Sequence, residues 1–254
     1  MIRAALVLVA LALTFAPAAR AEDIVSGLSK NRVSISANFD GTEILVFGAV
    51  KREAPIEPGR TGVIVTVEGP AQEVTVRRKD RRAVIWINNA ALEVDHAPSF
   101  YAVNASGPID DILSRVEDLR HGITTRSAIR QVGGTAQVDD PSAFVTALIR
   151  IREAQGLFQS NPRAVTVREN TLFDTSFTLP ANLVEGVYTS RIFLTRDGQI
   201  VAEASSSIYV EKVGLERFLY NLAHENPALY GIMSLVIAVA AGWGASAAFR
   251  YLNA

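Results

Sequence analysis

Between residues 24 and 105, apolar and polar positions alternate in short runs. Val33, Ile35 and Ala37 alternate with Ser34 and Ser36, and Phe39 precedes an Asp40-Gly41 turn. Ile44 to Phe47 is a continuous apolar run of the kind buried on both faces, and Gly48 marks a bulge or a close backbone approach. Val63, Val65 and Val67 alternate with Ile64 and Thr66 until Gly69-Pro70 stops the strand. Val74 and Val76 lead into Arg77-Arg78-Lys79-Asp80-Arg81-Arg82, and Ala83 to Ile87 leads away. A charged six-residue connection between two β patterns reads as the tip of a long hairpin.

The period then changes to that of a helix. Ser106 is placed to cap a helix with Pro108 in its first turn, and Ile109, Ile112, Leu113, Val116 and Leu119 make one apolar stripe that Gly122 ends. A polar stretch containing Gly133-Gly134 follows. Asp140-Pro141 opens a second helix with Phe144, Ala147, Leu148, Ile151 and Ala154 on one side, and Gly156 suits the left-handed position after it, with Leu157 folding back. Beyond it, Ala164 to Val167, Thr175 to Leu179, Gly186 to Thr195 and Gln199 to Val210 return to the strand pattern. Asp197-Gly198 between the last two is the strongest hairpin signal in the chain. Short strands with turn chemistry between them, and Gly186-x-Tyr188 entering a late strand, suggest an immunoglobulin-like β-sandwich. Two small sandwiches joined by helices, or one sandwich split by a helical insertion, both satisfy the pattern.

Both ends of the chain are apolar. Arg3, the run Ala4 to Ala16, Pro17 and the small-x-small site Ala19-Arg20-Ala21 form a secretory signal peptide, so the mature chain is expected to begin at Glu22. The rival is an uncleaved anchor. Ala228 to Phe249 runs 22 residues without a charge. At ~1.5 Å per residue this is about 33 Å, enough for a bilayer core. Arg250 follows at once and agrees with a cytoplasmic C-terminus. Ahead of the span, Leu215, Phe218, Leu219 and Leu222 form an amphipathic stripe. The expected organisation is a signal peptide (1–21), an N-terminal β region (22–107), a helical segment (108–160), a C-terminal β region (161–212), a juxtamembrane helix (213–227), a transmembrane helix (228–249) and a cytoplasmic tail (250–254). The fold class is mainly β with a two-helix middle and one C-terminal transmembrane helix.

Charge and composition narrow the chemistry. Of 254 residues 49% are hydrophobic, and 25 Lys and Arg oppose 26 Asp and Glu. Leaving out Arg3, Arg20 and Arg250, the exported body holds 22 basic and 26 acidic residues, about −4. No global field seeks nucleic acid. The absence of cysteine excludes disulfides, thiolate zinc sites, iron–sulfur clusters and cysteine nucleophiles.

Taken together, Phe39-Asp40-Gly41 with Val46-Phe47-Gly48, Trp86-Ile87-Asn88, Pro98-Ser99-Phe100-Tyr101-Ala102-Val103, Gly186-Val187-Tyr188, Gly214-Leu215-Glu216-Arg217 and Tyr230-Gly231 with Gly242-Trp243 resemble an uncharacterised family of transmembrane proteins of alphaproteobacteria. The resemblance covers nearly all of the mature chain. It implies a secreted N-terminal body with a single C-terminal span, and a permease resembling the sulfite exporters as a partner. It carries no catalytic residues.

Several residue groups are candidate sites. Arg77, Arg78, Lys79, Arg81 and Arg82 are the densest cationic cluster, fit for an anion, an acidic partner surface or lipid headgroups, or for a solvated hairpin end. Trp86, Phe100 and Tyr101 are groove candidates, against a packing role for each; Trp86 in particular, flanked by Ile85 and Ile87, reads as core. Ala238, Gly242, Gly244, Ala245 and Ala248 would let another helix approach the span closely. Glu93, Asp95 and His96 crowd one segment, but in a strand His96 points away from the two acids, which is poor metal geometry. The bases open to a hydrolase are His96, His121 and His224, and there is no Gly-x-Ser-x-Gly elbow, phosphate loop or His-Glu-x-x-His. The expectation is therefore a non-enzymatic accessory protein of the inner membrane, with its body in the periplasm and no metal or cofactor, partnering the bilayer and a multi-span membrane protein. A small-anion binding or sensing module is the alternative, and a hydrolase or metal-dependent enzyme the third reading.

Overall fold

In a computed structural model, residues 22–36, 38–52, 59–82, 84–130 and 140–252 are described. The segment expected to be a signal peptide (1–21), Ala37, Ala83 and the Gly133-Gly134 stretch lie outside them. Among the described residues the strands are β1 (Asp23–Leu28), β2 (Arg32–Ile35), β3 (Thr42–Lys51), β4 (Thr61–Glu68), β5 (Ala71–Arg82), β6 (Ile85–Pro98), β7 (Tyr101–Ala105), β8 (Phe158–Pro162), β9 (Thr166–Arg168), β10 (Leu172–Leu179), β11 (Gly186–Arg196) and β12 (Gln199–Lys212). The helices are α1 (Ile109–Ile112), α2 (Arg115–His121), α3 (Thr125–Ala128), α4 (Pro141–Ala154), α5 (Leu215–Glu225) and α6 (Pro227–Leu252). The chain is mainly β, with helices in the middle and an apolar helix at its C-terminal end, as the pattern implies.

The strands before and after the helical segment interleave. One sheet has the order β1-β3-β10-β9 and the second β2-β12-β11-β4-β7-β8, while β5 and β6 form a ribbon of their own. β3 pairs with β10 from Ile44↔Phe177 to Ala49↔Leu172, and β4 pairs with β11 from Glu68↔Thr189 to Thr61↔Arg196. The choice left open by the sequence thus falls to one body interrupted by helices. Parallel pairs at β2–β12 and β7–β8 accompany the antiparallel ones, and these strand orders do not establish an immunoglobulin-like sandwich. Tyr188 does donate from its hydroxyl to the Val184 carbonyl at 2.8 Å, the tie of a tyrosine corner.

The six-stranded sheet is covered on both sides. On one side Asn104 Nδ2 donates to Thr175 Oγ1 at 2.7 Å and to the Ser176 carbonyl at 2.8 Å, joining β7 to the smaller sheet. On the other side the Tyr101 hydroxyl donates to the carbonyls of Gly122 and Ile123, joining β7 to the helical segment. Residues of opposite parity point to opposite faces, so β7 is buried throughout and β4 is buried from Gly62 to Val67. Each buried Ile or Val there contributes about 1.5–3 kcal/mol by leaving water.

Local expectations fail where neighbours decide. The Ile44–Phe47 run is not buried on both faces: Ile44 and Val46 are buried while Leu45 and Phe47 are exposed, because β3 lies in the outer sheet with one face uncovered. Gly48 is a close approach, since a Cβ there would lie 2.5 Å from Phe173 Cζ and 2.6 Å from the Val25 carbonyl. The first helix is broken. Leu113 adopts φ −136° and ψ 129° and bridges to Gly198, and Ser114 then caps α2 through the Glu117 amide. The break turns Val116 and Leu119 outward, and Glu117 is the buried residue of α2 instead. The second helix forms as read. Asp140 accepts from the Ser142 and Ala143 amides, Gly156 sits at φ 71°, and the Leu157 amide returns to the Arg152 carbonyl. Phe158 to Asn161, however, already belong to a strand beside β7.

Candidate functional site

The cationic cluster lies on a strand and is not a loop. β5 continues through Arg82, pairing Arg77↔Ala91, Lys79↔Asn88, Asp80↔Ile87, Arg81↔Trp86 and Arg82↔Ile85, with an irregularity where Asn89 adds one residue to β6. The strand therefore runs on through the arginines to Arg82. A β pattern persists through the arginines because each has a cross-strand partner, whatever its polarity. The proximal half of the ribbon is anchored by Val76, Leu92, Val94 and Ala97, which join the core beside α4. Arg78 stacks its guanidinium over the Phe144 ring of α4, 5.7 Å from the centroid. Arg77, Lys79 and Arg81 are exposed.

Trp86 is not a core residue: it is 67% exposed near the ribbon's end. Phe100 and Tyr101 are fully buried, Phe100 against Tyr188 with ring centroids 6.1 Å apart. Burial pushes both tyrosine phenols, Tyr101 and Tyr188, above their ordinary range. At ~3.3 Å per residue, the twelve residues from Trp86 to Pro98 put Trp86 about 40 Å along the strand from this aromatic pair. The structure does not bring the three together as a groove.

The candidate bases are likewise dispersed. His96 Nε2 lies 3.6 Å from Glu68 Oε1, and Glu68 Oε2 lies 3.6 Å from Arg191. Glu93 and Asp95 are on the exposed face of β6, opposite to His96, as alternation requires. His121, in the last turn of α2, sits between Glu117 at 3.5 Å and Glu203 at 3.4 Å. His224 is stacked on Tyr220, 4.0 Å between centroids. Among the described residues no three His, Asp or Glu side chains are arranged to hold a metal.

An ion cluster that the sequence did not reveal joins Glu22 to two arginines. Arg52 Nε and Arg196 Nη2 each donate to the Glu22 carboxylate at 2.7 Å, and all three side chains are largely buried. Burial alone would raise the Glu22 carboxyl, but the hydrogen bonds from Arg196 and Arg52 outweigh it and hold the group below its ordinary value. Partners 30 and 174 residues away leave no local signal.

At the far end, α5 and α6 meet at Asn226, whose amide returns to the Leu222 carbonyl before Pro227 starts the next helix. Phe218 and Tyr220 are exposed on α5; the side chain of Leu215 lies outside the described residues. Pro227–Arg250 is the one helix among the described residues long and apolar enough to cross a membrane, and none of its most apolar window is covered by the body. Ala238, Gly242, Gly244, Ala245 and Ala248 lie on it, and nothing stands within 4 Å of a Cβ built at Gly242 or Gly244.

Among solved structures, the chain is similar to Spo0M, the sporulation control protein of Bacillus subtilis, at 12% identity and a TM-score of 0.25. That match covers 75% of this chain, which spans about half (49%) of the other. No curated protein matches the chain. The profile of one family, described as "Putative transmembrane protein (Alph_Pro_TM)", matches residues 23–251, through the β body, both C-terminal helices and the span. The chain belongs to this family of transmembrane proteins.

Proposed function

We propose that the protein is a non-enzymatic interaction subunit, exported by its N-terminal segment and held by one span at the periplasmic face of the inner membrane. The observation that carries the reading is α6: an apolar helix with no part of its most apolar window covered by the body that precedes it. In lipid such a helix either serves as a tether or packs against another span, and small residues favour close approach. Ala238 with Gly242, and Gly244 with Ala248, are each four apart on one face. Arg250 at the end of the span supports a cytoplasmic C-terminus. The partner is a multi-span membrane protein, with a sulfite-exporter-like permease the candidate suggested by the family resemblance.

Crosslinking in native membranes followed by mass spectrometry tests this. A multi-span protein should be recovered, and Gly242→Leu with Gly244→Leu should abolish its recovery while leaving insertion intact. Full activity with a poly-Leu span would overturn the partner reading. Protease added to spheroplasts should digest the body and leave a small C-terminal fragment, whereas a protected chain would overturn the orientation. The exposed cations of β5 support a second reading, small-anion binding, which a rise in melting temperature with sulfur oxyanions would reveal. Consecutive arginines on a strand point to alternate faces, a geometry that suits an extended surface better than a cupped anion.

A further inference from the structure

The distal half of the β5–β6 ribbon joins two properties on one short piece of chain. Over residues 77–82, β5 carries five cations against the single acid Asp80. Directly beside them, Val84, Ile85, Trp86 and Ile87 are 82, 64, 67 and 37% exposed. Alternation puts Trp86 on the face of its partner Arg81, and Ile85 and Ile87 on the face of Asp80. Apolar side chains therefore show on both faces of the ribbon.

This two-sidedness discriminates between occupants. A ribbon laid flat on a protein shelters one face and leaves the other wet. A tip apolar on both faces is covered fully when it enters a medium that surrounds it. The boundary between lipid headgroups and acyl chains is such a medium: Trp and Ile partition there, and long Arg and Lys side chains lie along apolar surface while their charges stay with water and phosphate. The excess of cations matches a negative surface. Unpaired main-chain groups at the ribbon's edges limit entry to this shallow zone.

The fold also roots the ribbon at the end of the sheet from which the chain leaves for the span. β4 and β12 are both antiparallel to β11, so they run the same way. The chain leaves β4 for the ribbon at Glu68, opposite Thr189, and leaves β12 for the span just past Val210, opposite Gly186. Both departures are at one end of the six-stranded sheet, and Pro70 packs on Gly186 there. A tethered contact is intramolecular in effect, so weak lipid affinity suffices.

We infer that the ribbon tip is a second membrane contact, binding anionic phospholipid through Arg77, Lys79 and Arg81 and inserting Ile85 and Trp86. The inference rests on the anchoring by α6 and needs no protein partner.

The test uses the full chain with Trp243→Phe, which leaves Trp86 as its sole tryptophan, reconstituted in vesicles with brominated acyl chains. In vesicles of phosphatidylcholine with phosphatidylglycerol, Trp86 emission should shift to the blue and be quenched, and high salt should reverse both. Arg77→Ser and Arg81→Ser should each lower the ratio of bound to free tip about fivefold. Ile85→Ser should lower quenching with the melting temperature unchanged, which separates lost insertion from lost folding. Unquenched Trp86 would overturn the inference, as would equal quenching in phosphatidylcholine alone. So would a tip that is shielded only in native membranes, through crosslinks to a protein. The vesicles hold only lipid and this chain, so failure to find a partner for the span leaves the measurement untouched.

Discussion

β4 and the distal part of β6 look alike in sequence and have opposite fates. Val63-Ile64-Val65 and Val84-Ile85-Trp86-Ile87 are both unbroken apolar runs of residues that favour strands. The first is buried on both faces, and the second is exposed on both. The difference lies in the neighbours. β4 has β11 and β7 at its edges, a second sheet over one face and the helical segment over the other. The end of β6 has β5 alone. An apolar run thus reports that a strand wants cover, and says nothing about whether the same chain supplies it.

Six substitutions sharpen or break this comparison. The largest effect is expected at Ile64→Ala, about 2–5 kcal/mol by urea unfolding, because the cavity opens between two covered layers. Ile85→Ala should stay within about 0.5 kcal/mol. Similar losses at both positions would erase the distinction. At the rim of the body, Glu22→Gln should cost about 1.5–3 kcal/mol near neutral pH, since it weakens hydrogen bonds made to a charge. The folded Glu22 carboxyl is held below its ordinary value of 4.5, so its contribution is complete above that value and fades as the pH falls through the lower folded one. Acid titration of stability should show this loss in the native chain and a flatter limb in the variant. The smallest effects belong to the ribbon's arginines. Arg78→Ser should cost about 0.5–1 kcal/mol through its stacking on Phe144, and Arg77→Ser or Arg81→Ser less than about 0.5 kcal/mol. Equal costs at all three in thermal melts would mean that the ribbon's cations are embedded alike.

Where a feature is set by a few adjacent residues, the sequence is legible. Asp197-Gly198 forms the expected two-residue turn with φ 49° and 83°, and Asp140, Pro141 and Gly156 bound their helix as read. The apolar C-terminal helix is legible for the same reason, its length and composition being local. What the sequence hides depends on distant chain. Leu113 breaks the first helix because it meets Gly198, and Arg196 reaches Glu22 across nearly the whole body. The candidate site was half legible: the arginines stand out by charge, but the exposure of Trp86 does not, since the same Ile-Trp-Ile pattern would serve a core strand.

The pairing of β3 with β10 sets a timetable. Roughly 120 residues separate Lys51 from Leu172. At ~5–20 residues per second of synthesis, the edge of β3 waits on the order of ten seconds for its partner to exist. β4 waits about as long for β11, and is the more apolar of the two. During that interval the first third of the body presents open strand edges that can be satisfied by any other extended chain, including a neighbouring copy. A fold that closes only when its last strands arrive makes its early strands dependent on being kept apart from other chains until then.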